Sequence, residues 1–263
     1  MSDLEQALSL RGIGPLYVTR VEPEWSRGPG ALAAFAVRAA RADLAGNRPL
    51  LLAFTYIHSP MAVEPIFVRA RVLRGGGVVL LSGVDLRQKG GGIADVELFY
   101  GSEGTPVSAC SRRSEVPRPE MPVPESIPPL PHVEATGSAF HRYFDVRLAH
   151  GEFPPAGDQP SVLGGWIRPR VPMPPDEAMV LALTDVWLAP LLSRISGVAP
   201  TGVKHCTLEF VNSICGTPDA WWAFHASLMQ TEAGGARMEG RLWGPSGELV
   251  VQAHQDVAEF SKP

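Results

Sequence analysis

The hydrophobic and polar positions fall into two successive blocks with the same grammar. In the first, Gly28-Pro29-Gly30 precedes an alanine-rich run, Ala31 to Ala42, whose strong helix propensity predicts a helix ending near Gly46-Asn47. Strand-like runs follow. Leu50–Ile57 is largely apolar, and Ile66, Val68, Ala70 and Val72 alternate with Arg69 and Arg71. Val78–Gln88 reads as a strand with Gly83 as a candidate bulge, and Ile93–Tyr100 as another, with glycine triplets at 75–77 and 90–92 as turns.

The second block opens with Pro174-Pro175-Asp176-Glu177, a proline at the helix start and acids in the first turn. It predicts an apolar helix from Ala178 to about Ile195, kinked at Pro190 and stopped at Gly197. Strands are predicted at Val203–Val211, Ala220–Gln230, Ala236–Trp243 and Glu248–Phe260, with turns at Gly234-Gly235 and Pro245-Ser246-Gly247. By order of elements Thr55 falls opposite roughly Thr207, a weak internal repeat that implies duplication of a whole domain. Between the blocks, seven prolines in fifteen residues (117 to 131) exclude helix and central strand and predict an extended surface segment. The expected organisation is therefore 1–115, a proline-rich linker at 116–131, and 132–263. Each half reads as one long helix wrapped by a curved antiparallel sheet, the α+β class, with the two sheets pairing edge to edge.

Composition narrows the function. The 23 Lys+Arg against 27 Asp+Glu give a net charge of −4, which argues against a nucleic-acid partner. Three cysteines, 110, 206 and 215, make neither a disulfide framework nor a zinc site, and the seven histidines show no metal-binding spacing. No metal and no cofactor are expected. The first residues lack the pattern of a signal peptide, and no apolar stretch reaches the length of a membrane span, so a cytoplasmic protein is expected. The glycine triplets are not phosphate loops, because neither leads into a helix through Lys-Ser/Thr.

Asp185 draws attention from its surroundings alone. It sits among Leu181, Leu183, Val186, Trp187 and Leu188, where a carboxylate must be paired, hydrogen-bonded or raised in pKa. It reads either as a water-orienting base or as a satisfied core carboxylate. Gln255 shares the period-two face of Val251, Ala253 and Val257, the apolar side of the last strand. It reads either as a site amide or as a locally bonded strand amide. No Gly-x-Ser-x-Gly elbow is present, and Cys206 beside His205 lacks the spatial relay of a cysteine nucleophile.

Several segments resemble the acyl-CoA thioesterase II-like superfamily, a double hotdog. They are Gly28-Pro-Gly-Ala-Leu-Ala-Ala, Phe144-Asp-Val-Arg-Leu-Ala, Gly165-Trp-Ile-Arg-Pro-Arg, Leu181-Ala-Leu-Thr-Asp-Val-Trp, Ala199-Pro-Thr and Gly240-Arg-Leu-Trp-Gly-Pro-Ser-Gly-Glu-Leu-Val-Val-Gln. Their order and spacing together carry the resemblance, from about Tyr17 to Phe260. It implies a tandem hotdog with two long helices, hydrolysis of acyl-CoA thioesters, and a homo-oligomer. The family's site pattern is a helix Asp, a Thr or Ser on the next strand, and a Gln on the last strand, together positioning a water. Asp185 and Gln255 match it. Val203 stands where the Thr is expected. Thr207, four residues on and expected on the same strand face, is the candidate replacement, with Thr201 as a neighbouring hydroxyl. His58, where a strand leaves the sheet, and Trp187 are candidate pocket residues, and backbone N–H groups at a helix N-terminus are candidate oxyanion donors. The first half offers no matching dyad, so one reaction centre per chain is expected. Two other readings remain: a non-hydrolytic hotdog that binds acyl-CoA or an acyl carrier protein, which Val203 favours, and a dehydratase or hydratase, which the absence of His from both helices disfavours.

Overall fold

The structure is a computed structural model that describes residues 3–13, 16–19, 28–59, 61, 64–106, 116–130, 143–151, 162–187, 201–232 and 235–259. The first half comprises α1 (Asp3–Ala7), β1 (Leu10–Ile13), β2 (Leu16–Thr19), α2 (Pro29–Asp43), β3 (Leu50–Ile57), β4 (Phe67–Arg74), β5 (Leu80–Gln88) and β6 (Gly91–Tyr100). The second comprises β7 (Phe144–His150), β8 (Val162–Pro169), α3 (Glu177–Leu183), a 3-10 turn (Thr184–Trp187), β9 (Thr201–Phe210), β10 (Trp222–Glu232), β11 (Gly235–Trp243) and β12 (Leu249–Glu259).

All twelve strands form one antiparallel sheet in the order β1-β2-β4-β5-β6-β3-β9-β12-β11-β10-β8-β7. The order is the same read outward in either direction from the β3–β9 seam, so each half supplies six strands and the halves join edge to edge. Thr55 of β3 lies opposite Cys206 of β9 at that seam. Pairing there removes the exposed edge that each half-sheet would otherwise present.

Helix α2 is 15 residues long and buried on nearly every side, from Pro29 through Val37 and again at Ala39 and Ala40. Its alanines let strands β3 to β6 and helix α3 approach closely, which is why an apolar helix without a polar face is stable here. Its polar exceptions reach across to α3: Arg38 pairs with Asp176 at 2.7 Å, and Arg41 with Glu177. Of the two long helices expected, this one is found. The second is a seven-residue helix that tightens into the 3-10 turn, and the rest of its predicted span, with Pro190 and Gly197, lies outside the described residues. Asp176 caps it, accepting the Met179 N–H at 2.8 Å. Among the described residues no helix is long and apolar enough to cross a membrane.

Two local expectations are corrected. Gly83 is not a bulge. The irregularity lies opposite, at Leu73 between Val72 and Arg74, and a Cβ at Gly83 would stand 2.9 Å from the Leu73 side chain. The proline-rich segment is extended except for a 3-10 turn at Pro124–Ser126, so helix is not wholly excluded from it, and it is not a loose tether. Trp166 Nε1 donates to the Pro122 carbonyl at 2.9 Å, Trp243 Nε1 to that of Val116 at 3.0 Å, and Arg147 to that of Ile127 at 2.6 Å. Ile127 joins Trp166, Val211, Ala223, Trp243 and Leu249 in a second hydrophobic cluster. The segment thus covers one face of the second half's sheet, and its Pro122 and Val116 carbonyls, which lie outside the strand ladders, satisfy the indole donors.

Candidate active site

Asp185 lies in the 3-10 turn after α3, and the turn directs its carboxylate at the start of α2 in the other half. Oδ1 accepts the Gly30 N–H and Oδ2 the Ala31 N–H, both at 2.8 Å. Helix α2 has no side-chain cap of its own at Gly28, so this distant carboxylate serves as one. The glycines are a steric requirement. A Cβ on Gly28 would fall 2.3 Å from Asp185 Cγ, and one on Gly30 would fall 2.3 Å from the Leu181 carbonyl and 2.4 Å from Thr184 Oγ1. The carboxylate is 8% exposed. Burial pushes its pKa from 3.8 up to about 7, although both amide hydrogen bonds act the other way.

Beneath this turn, three strands present a row of inward side chains. Thr55 on β3 faces Cys206 on β9, and Cys206 faces Gln255 on β12. Thr55 is fully buried and its Oγ1 donates to the Pro29 carbonyl at 3.4 Å. Burial pushes the Cys206 thiol far above its ordinary range; the neighbouring Gln255 amide acts the other way, and the Asp185 charge raises it further. Such a thiol stays protonated, so Cys206 is not an activated nucleophile. Gln255 is 1% exposed, and among the described residues neither Nε2 nor Oε1 has a hydrogen-bond partner. A buried amide left open on both sides is costly and marks where a polar group from outside belongs.

The other predicted residues are placed differently. Thr207 does not share the face of Val203. The β9–β12 register passes from Asp256 opposite His205 to Val257 opposite Val203, so Lys204 is an extra residue on β9. That bulge reverses the alternation: Val203 and Cys206 are buried on the inner side, while Thr207 sits beside His205 (3.4 Å to Nε2) on the other. Thr55 and Thr207 therefore face opposite sides of the sheet and are not counterparts. The expected Thr position holds the buried Val203. His58 lies outside the cluster, half exposed and paired with Asp95 at 2.7 Å. Thr201 is the first residue of β9, opposite Glu259, and Trp187 ends the 3-10 turn; both side chains lie outside the described residues. The residue that the sequence reading missed is Thr55, whose only signal was a hydroxyl inside the apolar run Leu50–Ile57.

A long alanine-rich helix on an antiparallel half-sheet, joined edge to edge to a second half-sheet of the same strand order with a shorter helix, matches the double hotdog class. Residues 22–101 match the acyl-CoA thioesterase N-terminal domain and residues 124–258 the C-terminal domain of that family. The chain belongs to the acyl-CoA thioesterase family. Among solved structures it is similar in fold to a hot-dog protein of unknown function from Alicyclobacillus acidocaldarius, with a TM-score of 0.81 at 20% identity over 100% of both chains. It is likewise similar to the tesB protein of Mycobacterium avium subspecies paratuberculosis, with a TM-score of 0.75 at 22% identity over 98% of both chains. The acyl-CoA thioesterase II TesB2 of Mycobacterium marinum gives a TM-score of 0.73 at 19% identity, also over 98% of both chains. No curated protein sequence matches the chain.

Proposed function

We propose that this thioesterase hydrolyses acyl-CoA with a water held between Asp185 and Gln255. One observation carries the reading: a buried carboxylate, titrating near neutrality and fixed on two amides, whose charge acts on Cys206, the residue paired with the buried, unpartnered amide of Gln255. Asp185 takes a proton from the water as its oxygen attacks the thioester carbon. The tetrahedral intermediate collapses, the C–S bond breaks with its electrons on sulphur, and the proton on Asp185 passes to the CoA thiolate. The products are the fatty acid and free CoA. A pKa near 7 suits a group that must both accept and return that proton. The acyl chain is assigned to the apolar space between helix and sheet.

The opposite end of α2 supports one centre per chain. There the start of α3 meets Arg41, which pairs with Glu177 and lies 4.9 Å over the Tyr100 ring. Among the described residues no carboxylate caps that helix from the other half as Asp185 caps α2. The buried Val203 favours a second reading, an acyl-CoA-binding hotdog without hydrolysis. Release of CoA thiol by the purified chain across acetyl- to palmitoyl-CoA, with Asp185→Asn alongside, separates the two. Release abolished by Asp185→Asn supports hydrolysis through this site, and release unaffected by it removes Asp185 from the mechanism. Binding of acyl-CoA without release supports the second reading.

A further inference from the structure

We infer that the side-chain amide of Gln255, and not the first turn of α2, donates to the thioester oxygen. This rests on the hydrolytic reading and assigns the oxyanion donor within it. The expected donors were the free N–H groups of a helix start, and within the first turn of α2, from Pro29 to Leu32, each is accounted for. Pro29 has none. Those of Gly30 and Ala31 are held by Asp185 at 2.8 Å, and that of Leu32 bonds to the Gly28 carbonyl at 3.3 Å. No amide of this turn remains for a developing oxyanion while the base is seated.

The neighbouring hydroxyls are engaged as well. Thr55 donates to the Pro29 carbonyl and Thr184 to that of Leu181 at 2.6 Å. Val203, at the position where a hydroxyl was expected, offers no donor. Among the described side chains of this cluster, the strong donor without a hydrogen-bond partner is Gln255 Nε2, whose neighbour on β9 is the weakly accepting Cys206 thiol. Its amide is bifunctional: Oε1 accepts from the attacking water, and Nε2 donates to the thioester oxygen. As the water oxygen bonds to carbon, the carbonyl π electrons move onto oxygen, where Nε2–H meets the charge. When the C–S bond breaks, those electrons return to the carbonyl and the sulphur leaves as thiolate. The donor gains strength from its burial, since no water competes for the charge.

The experiment uses a ketone analogue of acyl-CoA in which methylene replaces the thioester sulphur, labelled with carbon-13 at the carbonyl. Isotope-edited infrared spectra of the bound analogue are compared for the wild type and Gln255→Met. Donation predicts a carbonyl band at lower frequency in the wild type that moves up in the variant. It also predicts a kcat/KM for acyl-CoA lowered by about 10²–10³-fold, the usual effect of losing one oxyanion donor. Identical bands, or undiminished turnover in the variant, overturn the assignment and leave hydrolysis standing. A band shift in a wild type that releases no CoA thiol does the reverse. A reading that needs no folded variant comes from nitrogen-15 labelling of glutamine in the wild type. One Gln255 Nε2 proton moves downfield when the analogue binds, and no movement overturns the assignment.

Discussion

The Asp185 carboxylate accepts the Gly30 amide proton at 2.8 Å, so an acid of the second half caps the long helix of the first. The same peptide is gripped on its other edge, where the Pro29 carbonyl accepts from Thr55 Oγ1 at 3.4 Å. Duplicated halves give this chain something that a single half lacks. The carboxylate comes from one unit, the amides that orient it from the other, and the strand that carries Gln255 lies two strands from Thr55 across the seam. Neither half holds the cluster alone.

The pH dependence follows from the burial of Asp185. Its native pKa of about 7 lies above the ordinary 3.8, so the folded chain keeps a proton that the unfolded chain releases. That contribution to stability is complete below about pH 4 and is lost as the pH rises through about 7. The reacting carboxylate is the ionised form, so kcat/KM should climb over the same interval and level off above it. Chemical denaturation from pH 4 to 8 should show the decline in the wild type and a flatter course in Asp185→Asn. A kcat/KM that does not change between pH 5 and 8 would remove Asp185 as the base.

Gly30→Ala should break the capping contact. The new methyl would stand 2.3 Å from a backbone carbonyl, which cannot rotate away as a side chain can. Overpacking of this kind costs about 1–3 kcal/mol, and displacement of the carboxylate should abolish turnover as well. Gly77→Ala is the control, because nothing lies within 4 Å of the added carbon. Urea midpoints and CoA release measured on both variants give the comparison.

The period-two reading of β12 put Gln255 among Val251, Ala253 and Val257, and all four are buried. The helix start at Gly28-Pro-Gly was legible because proline and glycine restrict the backbone in known ways. The face of Thr207 was not, because counting from Val203 assumes an unbroken alternation and one extra residue at Lys204 reverses it. Thr55 was illegible for another reason. It enters the cluster through the β3–β9 seam, a contact between residues far apart in the chain, and nothing in either local segment encodes it. The proline-rich segment was read as extended throughout, which fails at the 3-10 turn Pro124–Ser126, and its indole partners Trp166 and Trp243 lie well beyond it in sequence.

That bulge makes an opposed pair of predictions. Thr207→Val alters a hydroxyl on the far side of the sheet and should leave kcat/KM within about two-fold, in line with a surface change away from a site. Val203→Thr adds a hydroxyl on the inner side, at nearly the same volume, and should raise turnover at some cost in stability. The cost arises because a buried hydroxyl without a partner is unfavourable by about 1–3 kcal/mol. Steady-state kinetics on the two variants test this. A loss with Thr207→Val and none of the gain with Val203→Thr would place the reacting face on the other side.

Trp243→Phe tests the strap that the proline-rich segment forms. The indole Nε1 donates to the Val116 carbonyl at 3.0 Å from a residue that is 1% exposed, so phenylalanine keeps most of the packing and removes the donor. Loss of that bond should cost about 1 kcal/mol. Trp166→Phe, which frees the Pro122 carbonyl, should cost a similar amount, and the two should couple rather than simply add, because both indoles belong to one cluster and hold one segment. Neither residue belongs to the Asp185–Gln255 cluster, so CoA release should not change. The sharper readout is limited proteolysis across residues 116–130. The wild-type segment, held at both carbonyls, should resist cleavage, and the double variant should be cut there first while the rest of the chain stays intact. Equal cleavage of wild type and double variant would mean that these indoles do not hold the segment down.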